Sequence, residues 1–399
     1  MLPDKCHHLT IFEETNTEEI TKIIHSSASK SCTLDPIPTS LLKDCLGVLA
    51  PKITKIINTS LATATVPDCF KVASITPILK KSDLDANILQ NYRPISNLPF
   101  VSKILEKVVG KRLNSHKDKY GLNEKFQSAY RKFHSTETAL VLLQNDILRA
   151  IDNKQQGCGF LVLLDLSAAF DTVDHKILIR RMEKRFGVNG LCLDWLSSYL
   201  HKRKQFVSIN GGKSDEEELD CDVPQGSVLG PTCFGDYNSP IGAIFRRHNI
   251  EYHLYADDTQ VYVFFKPGTS EEEAVKRLEA CLADVRLWMA KNYLKLNDKK
   301  TDFLIFCKPA AENKIQTKSI KIGNCDITPS SCVTNIGATF DKHMKLNMQI
   351  NKSCRSAWFS LYTISKIKKY LTTDQKKSAV HAYVTSKIDS NNSLYRQLF

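Results

Sequence analysis

The sequence predicts an α+β fold, in which amphipathic helices and a small number of strands occupy different parts of the chain. Phe160 to Leu164 form an unbroken apolar run, which is typical of a strand covered on both faces. The segment HLYADDTQVYVFF, which begins at His253, indicates a β-hairpin with an acidic turn. Most other long segments carry apolar residues at the spacing of one helix face.

The N-terminal part of the chain predicts helices followed by a strand. The segments TEEITKIIHSSAS, from Thr17, and TSLLKDCLGVLAPKITKIINTSLATA, from Thr39, both have helical periodicity. The segment VASITPILK reads as a strand that ends at Lys80. We expect NYRPISNLPFVSKILEKVVGKRL to be a loop that leads into a basic helix.

Two further helices are predicted later in the chain. One runs from Phe133 to Ile151. The other begins near Ser270, which stands three residues before Glu273 in the spacing of a capping box. Its apolar residues at helical spacing predict one buried face: Ala274, Leu278, Leu282, Val285 and Met289.

Composition indicates a globular protein with a polyanionic partner. The 399 residues are 42% hydrophobic and 25% charged, with a formal net charge of +12. Such an excess of Lys and Arg favours nucleic acid, although an anionic membrane surface would also fit the charge. The sequence has neither a signal-peptide pattern nor an apolar run of about 20 residues. We therefore expect an intracellular protein, in cytoplasm and nucleus, without membrane association.

Three carboxylates indicate a metal site. Asp165 ends the apolar run, and Asp257 and Asp258 stand together in the hairpin. If the run and the hairpin are neighbouring strands, the three side chains meet at one point, where oxygen ligands would favour Mg²⁺. Two simpler interpretations stay open, because Asp257 and Asp258 also suit a solvated turn and Asp165 could cap a helix formed by LSAAFD.

Four motifs in a fixed order resemble the reverse transcriptase of non-LTR (LINE-type) retrotransposons. They are DLSAAFDTVDH, VPQGSVLGP, YADDTQVY and LKLNDKKTDFLIF, with continuous likeness from about Ile75 to Phe340. The resemblance implies an RNA-directed DNA polymerase that transfers nucleotides from dNTP to a primer 3′-hydroxyl with two Mg²⁺ ions, or Mn²⁺ in their place. Its partners would be an RNA template, a DNA primer and the RNA–DNA hybrid.

The resemblance also implies a right-hand polymerase, with an antiparallel palm sheet, helical fingers and a partial helical thumb. We expect residues 1–60 to be an N-terminal helical extension, 61–340 to form fingers and palm, and 341–399 to be part of the thumb. The basic runs Lys202 to Lys204 and Lys366 to Lys369 would follow the phosphates of the hybrid, or form solvated surfaces.

Roles at the reaction centre follow from position in the motifs. Asp165 and Asp257 would be the main metal ligands, with Asp258 beside them, and all three would be catalytic. Lys300, in NDKKT, would protonate the leaving pyrophosphate, or else be a solvated lysine. Phe170 would lie under the sugar and exclude a 2′-hydroxyl by its bulk, and the alternative is an ordinary core phenylalanine.

Other substrate contacts are implied by the flanking motifs. Gln225 and Gly226 would touch the new base pair, although VPQGSVLGP could simply be a turn before a helix. Arg93 would bind the triphosphate through its planar guanidinium group, unless it is an ordinary surface charge. We expect Lys80 to bind substrate as well.

The chain departs from the family pattern at several places. Asp222 stands where the family usually has Gly, and TCFGDYNSPIG follows LGP where an apolar helix is expected. We also expect an endonuclease to be supplied elsewhere, since none precedes the polymerase motifs, and NSLYRQLF would end inside the thumb. A fragment or decaying copy is therefore expected. The alternative functions are a nucleic-acid-binding relic without activity and an RNA-directed RNA polymerase.

Overall fold

The computed structural model describes residues 7–30, 32–167 and 170–397. The helices are α1 (Thr17–Ser26), α2 (Thr39–Asp44), α3 (Leu46–Ala62), α4 (Phe100–Lys119), α5 (Thr136–Asp152), α6 (His175–Phe186), α7 (Gly190–Leu200), α8 (Gly230–Asn238), α9 (Ile241–Arg247), α10 (Glu271–Lys291), α11 (Asn347–Ile367), α12 (Thr373–Val380) and α13 (Ser386–Asp389).

The strands are β1 (Val72–Leu79), β2 (Tyr92–Asn97), β3 (Cys158–Leu164), β4 (Leu166–Ser167), β5 (Arg203–Ile209), β6 (Gly212–Lys213), β7 (Glu217–Leu219), β8 (Glu251–Tyr255), β9 (Asp258–Phe265), β10 (Lys295–Leu296), β11 (Asp302–Cys307), β12 (Ile320–Ile322), β13 (Cys325–Ile327), β14 (Cys332–Asn335) and β15 (Ala338–Asp341). The predicted α+β class is confirmed. No described helix is long and apolar enough to cross a membrane.

The chain forms two compact units that alternate along the sequence. Unit 1 contains the described residues of 1–125, 168–240 and 290–294. Unit 2 contains those of 126–167, 241–289 and 295–399. The predicted contiguous division at residues 60 and 340 stays a prediction.

Unit 1 is built on a sheet in the order β2-β1-β5-β6, with β7 also paired to β5. The segment NYRPIS, which we expected to be a loop, is strand β2, so that prediction is wrong. Pro94 lacks an N–H group, but β2 is an edge strand with a neighbour on one side only, where Pro is tolerated. Pairing with β1, in which Pro94 lies opposite Pro77, decides the conformation.

The predicted N-terminal helices are present in unit 1. The long segment from Thr39 divides into α2 and α3, because the backbone of Cys45 leaves helical geometry at φ −96° and ψ 18°. The basic helix that we expected after the loop is α4.

Unit 2 is built on an antiparallel sheet in the order β11-β3-β9-β8. The apolar run from Phe160 to Leu164 is buried in β3, except for the partly buried Leu163, and lies between two other strands, as predicted. Side chains of α5, β3, β9 and β11 share one core with the β14–β15 hairpin: Leu140, Leu143, Ile147, Leu161, Tyr262, Leu304, Phe306, Val333 and Phe340. The predicted apolar face of α10 is also buried.

Candidate active site

Asp165 lies at the point where the central strand of the unit 2 sheet ends. It follows β3 directly and precedes β4, which pairs with β10. The helix that Asp165 could have capped is therefore absent at Leu166, and Asp174 caps the next helix by accepting the Ile177 N–H at 2.7 Å. The capping interpretation of Asp165 is wrong, although Ala168 and Ala169 of that segment lie outside the described residues.

The two acidic residues of the hairpin sit at its tip. Tyr255 pairs with Asp258, so that Ala256 and Asp257 form a two-residue turn between β8 and β9. Ala256 has φ +57°, a left-handed conformation that is uncommon for a residue with a side chain. β9 also pairs with β3, with Thr259 opposite Leu164. One step further in this register sets Asp258 opposite Asp165.

The three carboxylates interact electrostatically. Burial raises the pKa of the Asp258 carboxyl to about 6, and the charges of Asp257 and Asp165 add to that rise. Burial and the charge of Asp257 also raise the pKa of the Tyr130 hydroxyl. The Asp258 carboxyl therefore binds a proton more readily than a free aspartate does.

Lys300 provides a positive charge at this tip. Its ammonium lies 3.2 Å from Oδ2 of Asp165, and its side chain is 65% exposed. The Asn297 N–H donates to the Asp165 carbonyl at 2.9 Å, and the Lys300 N–H donates to the Asn297 carbonyl at 3.0 Å. The sequence motif identified Lys300 as a candidate. These two backbone hydrogen bonds hold it near the end of β3, beside Asp165.

A cation fits the chemistry of these groups. Oδ2 of Asp165 is buried and is contacted by the Lys300 ammonium, but no described group donates to it in good hydrogen-bond geometry, and carboxylate oxygens are hard ligands that suit Mg²⁺. Within residues 7–30, 32–167 and 170–397, however, no three His, Cys, Asp or Glu side chains are arranged as a group that could hold a metal ion. The metal-ligand roles of Asp165, Asp257 and Asp258 stay predictions.

A cavity of about 290 Å³ opens beside the carboxylates in unit 2. Asp165, Asp258 and Lys300 line it together with Gln260 and Asn335. Gln260 is fully buried, and its two amide atoms have no hydrogen-bond partner among the described residues. Asn335 Nδ2 lacks one as well. Sequence reasoning missed both residues, although Gln260 is an uncharged polar residue directly before the apolar run VYVFF of β9.

The remaining predicted substrate residues belong to unit 1. Phe170 is half-buried, so it is not a fully enclosed core residue. Its ring stacks on Phe234 of α8, with centroids 5.0 Å apart, and its carbonyl accepts the Val223 N–H at 3.2 Å.

Gln225 and Gly226 form a loop held against β2. The Ser96 N–H donates to the Gln225 carbonyl at 2.9 Å. Gly226 has φ +135°, and a Cβ added there would lie only 2.4 Å from the Ser96 carbonyl oxygen. Only glycine suits both the angle and the close approach, so this position is more constrained than an ordinary turn before a helix.

Lys80 and Arg93 are brought together by the β1–β2 pairing. Arg93 lies opposite Ile78, two residues before Lys80, so the two cations share one face of the hairpin. Both side chains are exposed. Lys80 also opposes the rise that burial causes in the pKa of Asp171, beside Phe170.

Asp222 is held in a conformation that favours glycine. Its φ is +109°, and its Oδ1 is buried without a hydrogen-bond partner among the described residues. Burial raises the pKa of its carboxyl to about 7, and the nearby Asp171 adds to the rise. Asp222 therefore does not simply point to solvent.

The unusual segment after LGP forms a helix. Residues of TCFGDYN belong to α8, with Phe234 and Asp236 buried. Both carboxylate oxygens of Asp236 accept hydrogen bonds from Lys117 Nζ at 2.9 Å, and the two side chains are only 7% and 4% exposed. A helix thus forms after LGP although this segment departs from the family pattern, and Lys117 of α4 supplies the counter-charge for the buried Asp236.

Comparison with known proteins decides the family. Residues 78–340 match the family described as Reverse transcriptase (RNA-dependent DNA polymerase). The chain belongs to this family. The resemblance to non-LTR retrotransposon enzymes is also confirmed by similarity to RNA-directed DNA polymerases of Drosophila melanogaster mobile elements.

The matched relatives are longer proteins. This reverse transcriptase is 32% identical to the RNA-directed DNA polymerase from mobile element jockey, over 61% of the chain and 26% of that protein. It is 26% identical to the probable RNA-directed DNA polymerase from transposon BS, over 93% of the chain and 41% of the relative. The X-element enzyme matches 75% of the chain at 28% identity, over 32% of its own length. The chain thus spans less than half of these relatives.

Proposed function

We propose that this chain is an RNA-directed DNA polymerase that extends a DNA primer on an RNA template with dNTP. The observation that supports the proposal is that Asp165 follows β3 while Asp257 and Asp258 lie in the turn of the neighbouring hairpin, where the charges of Asp257 and Asp165 add to the raised pKa of Asp258. Neighbouring carboxylates favour binding of divalent cations. Nucleotidyl transfer by two metal ions would require the three side chains to converge further than they do here.

The residues at the tip of the sheet would have different roles in nucleotidyl transfer. Asp165 and Asp257, with Asp258 beside them, would hold Mg²⁺, which when bound activates the primer hydroxyl and stabilises the leaving pyrophosphate. Lys300, held 3.2 Å from Asp165, is placed to donate a proton to the pyrophosphate as it leaves.

The cavity beside the tip suits the end of the primer. Both amide atoms of Gln260 and Nδ2 of Asn335, which have no hydrogen-bond partner among the described residues, would hydrogen-bond a sugar or base edge there. Within unit 1, Lys80 and Arg93 would bind the triphosphate, while Phe170, Gln225 and Gly226 would select the sugar and the base pair.

The finer architecture that we propose is a right hand. The sheet of unit 2 would be the palm, the β1–β2 hairpin and α4 would belong to the fingers, residues 1–60 would be an N-terminal helical extension, and α11 would open a thumb. α11 carries exposed Trp358 and Phe359, and Lys366 Nζ lies 4.3 Å from the Tyr362 ring centroid. Aromatic and basic side chains together suit nucleic-acid strands.

Primer extension on an RNA template tests the function. We expect Mg²⁺-dependent extension with dNTP and much less with rNTP, and loss of extension in Asp257→Asn. The control is Asp152→Asn, which removes the charge of an exposed aspartate that pairs with Lys308 at 3.1 Å.

Each other outcome favours a different function. Preferred use of rNTP would indicate an RNA-directed RNA polymerase. Hybrid binding without extension would indicate a nucleic-acid-binding relic. Equal loss of activity in Asp257→Asn and Asp152→Asn would contradict the assignment of the reaction to the sheet tip.

A further inference from the structure

A buried carboxylate on α4 contacts the loop that we assign to the new base pair. Glu106 is 1% exposed. Its Oε2 accepts the N–H groups of Val228 and Leu229 at 2.7 Å and 2.9 Å, and the Tyr199 hydroxyl at 3.3 Å. Val228 and Leu229 directly follow the Gln225–Gly226–Ser227 segment.

These two amides lie at the beginning of α8. The first N–H groups of a helix have no partner within it and favour a nearby negative charge. Leu229, the N-cap residue of α8, provides no side-chain cap. Ser227 Oγ accepts the N–H of Gly230 at 2.9 Å, and Glu106 supplies from another helix the acceptor for the two amides that precede α8.

We propose that Glu106 is a positioning residue for nucleotide selection, because it holds residues 224–230 at the place where the incoming base pair is read. This inference rests on the proposed function. The carboxylate touches neither substrate nor metal; it acts through the backbone of the loop.

Other contacts also hold this loop in place, so Glu106 is one of several groups that restrict its movement. On the side of β2, Ser96 binds Gln225, and Gly226 leaves no room for a side chain. On the side of α4, a Cβ at Gly110 would lie 3.3 Å from Leu229 Cδ2. Loss of the Glu106 acceptor would free the loop between these contacts without removing them.

The carboxyl group of Glu106 is held by the hydrogen bonds that it accepts from the loop. Burial raises the pKa of its carboxyl, and the two amides, Arg203 and Tyr199 oppose the rise. Its second oxygen, Oε1, has no hydrogen-bond partner among the described residues. Removing the carboxylate would leave the buried N–H of Leu229 and the partly buried N–H of Val228 without an acceptor.

A buried glutamate in unit 2 offers a matched control. Oε1 of Glu271 accepts the N–H groups of Gln316 and Thr317 at 2.9 Å and 2.7 Å, and its Oε2 has no partner among the described residues. Glu271 therefore has the same chemistry as Glu106 but holds a different loop. Its removal should destabilise the fold similarly and leave nucleotide selection unchanged.

The experiment compares Glu106→Ala and Glu106→Gln with the same changes at Glu271, in the full chain. We expect Glu106→Ala to raise the dNTP KM by on the order of tenfold, with a smaller change in kcat and unchanged hybrid binding. Glu106→Gln, which keeps an acceptor oxygen, should recover much of the loss. Amide hydrogen exchange should accelerate at residues 224–230 in the Glu106 variants and at 316–317 in the Glu271 variants.

The outcomes separate this inference from the proposed function. If the wild-type chain does not extend a primer, the proposed function fails, whereas the exchange measurement still reports whether Glu106 holds the loop. If the chain is active and neither Glu106 variant changes the dNTP KM more than its Glu271 counterpart, the positioning role is overturned. If Glu106→Ala does not fold, the Glu106→Gln and Glu271→Gln pair decides by the same comparison.

Discussion

In unit 1, Asp236 is buried on α8 with the ammonium of Lys117 2.9 Å from both of its oxygens. At the tip of the unit 2 sheet, Asp258 is partly buried beside two further carboxylates, and Lys300 contacts Asp165. The first region contains its own counter-charge. The second is where we propose that an added cation binds. Aspartates that look alike in the sequence therefore differ in whether the fold supplies their counter-charge.

The largest effect is expected at the sheet tip. Asp165→Asn removes a proposed metal-ligand charge, so kcat should fall by on the order of 10³-fold or more. Affinity for the RNA–DNA hybrid, measured over a range of salt, should stay within about twofold, because few phosphate contacts are lost. Synthesis at the wild-type rate would remove Asp165 from the reaction centre.

Breaking the compensated pair should affect stability more than chemistry. Lys117→Met leaves Asp236 buried without a partner, and we expect the free energy of unfolding to fall by about 3–5 kcal/mol. The double variant Lys117→Met/Asp236→Leu should recover most of this loss in denaturant titrations. A double variant as unstable as the single one would show that the pair is not a counter-charge arrangement.

Asp222 lies between these two cases. It is partly buried, and no described residue forms a hydrogen bond with its Oδ1. Its folded pKa of about 7 lies above the unfolded value near 4, so its charge destabilises the fold increasingly between pH 4 and 7 and fully above that range. Asp222→Gly should therefore stabilise the protein by about 2–4 kcal/mol at pH 8 and by less at pH 4–5. The dNTP KM should also fall.

Asp222→Asn separates charge from backbone strain, because Asn removes the charge and keeps a side chain at φ +109°. A pH-independent gain in Asp222→Gly would assign the effect to strain alone. Equal dNTP KM in wild type and Asp222→Gly would show that the Asp222 carboxylate does not repel the incoming triphosphate.

The smallest expected effect concerns the choice between ribonucleotide and deoxynucleotide substrates. Phe170→Val should raise the ratio of ribonucleotide to deoxynucleotide incorporation by about tenfold, since a smaller side chain would admit a 2′-hydroxyl. The change also removes a ring that stacks on Phe234, so the melting temperature must be measured in parallel. An unchanged ratio in a folded variant would assign Phe170 to packing.

Local patterns predicted the helices and the central strand because burial follows periodicity. The apolar face of α10 is buried as its helical spacing predicted, and the strand from Phe160 forms where the unbroken apolar run predicted it. The same reasoning failed at NYRPIS, where pairing with β1 makes a strand from a segment with turn-like composition. Gln260 was also missed, since its lack of a partner depends on neighbours from other elements.

The sequence by itself determined the family, through the order of its motifs, and the pairing of a buried strand with an acidic hairpin. Tertiary structure decided which charges are compensated. Asp236 receives Lys117 from a helix 119 residues away in the chain, and Asp222 is held at a glycine-like angle. Glu106 likewise gains its role from two amides that are 122 and 123 residues distant. Charge compensation depends on distances of a few ångströms, and only the folded chain brings such residues together.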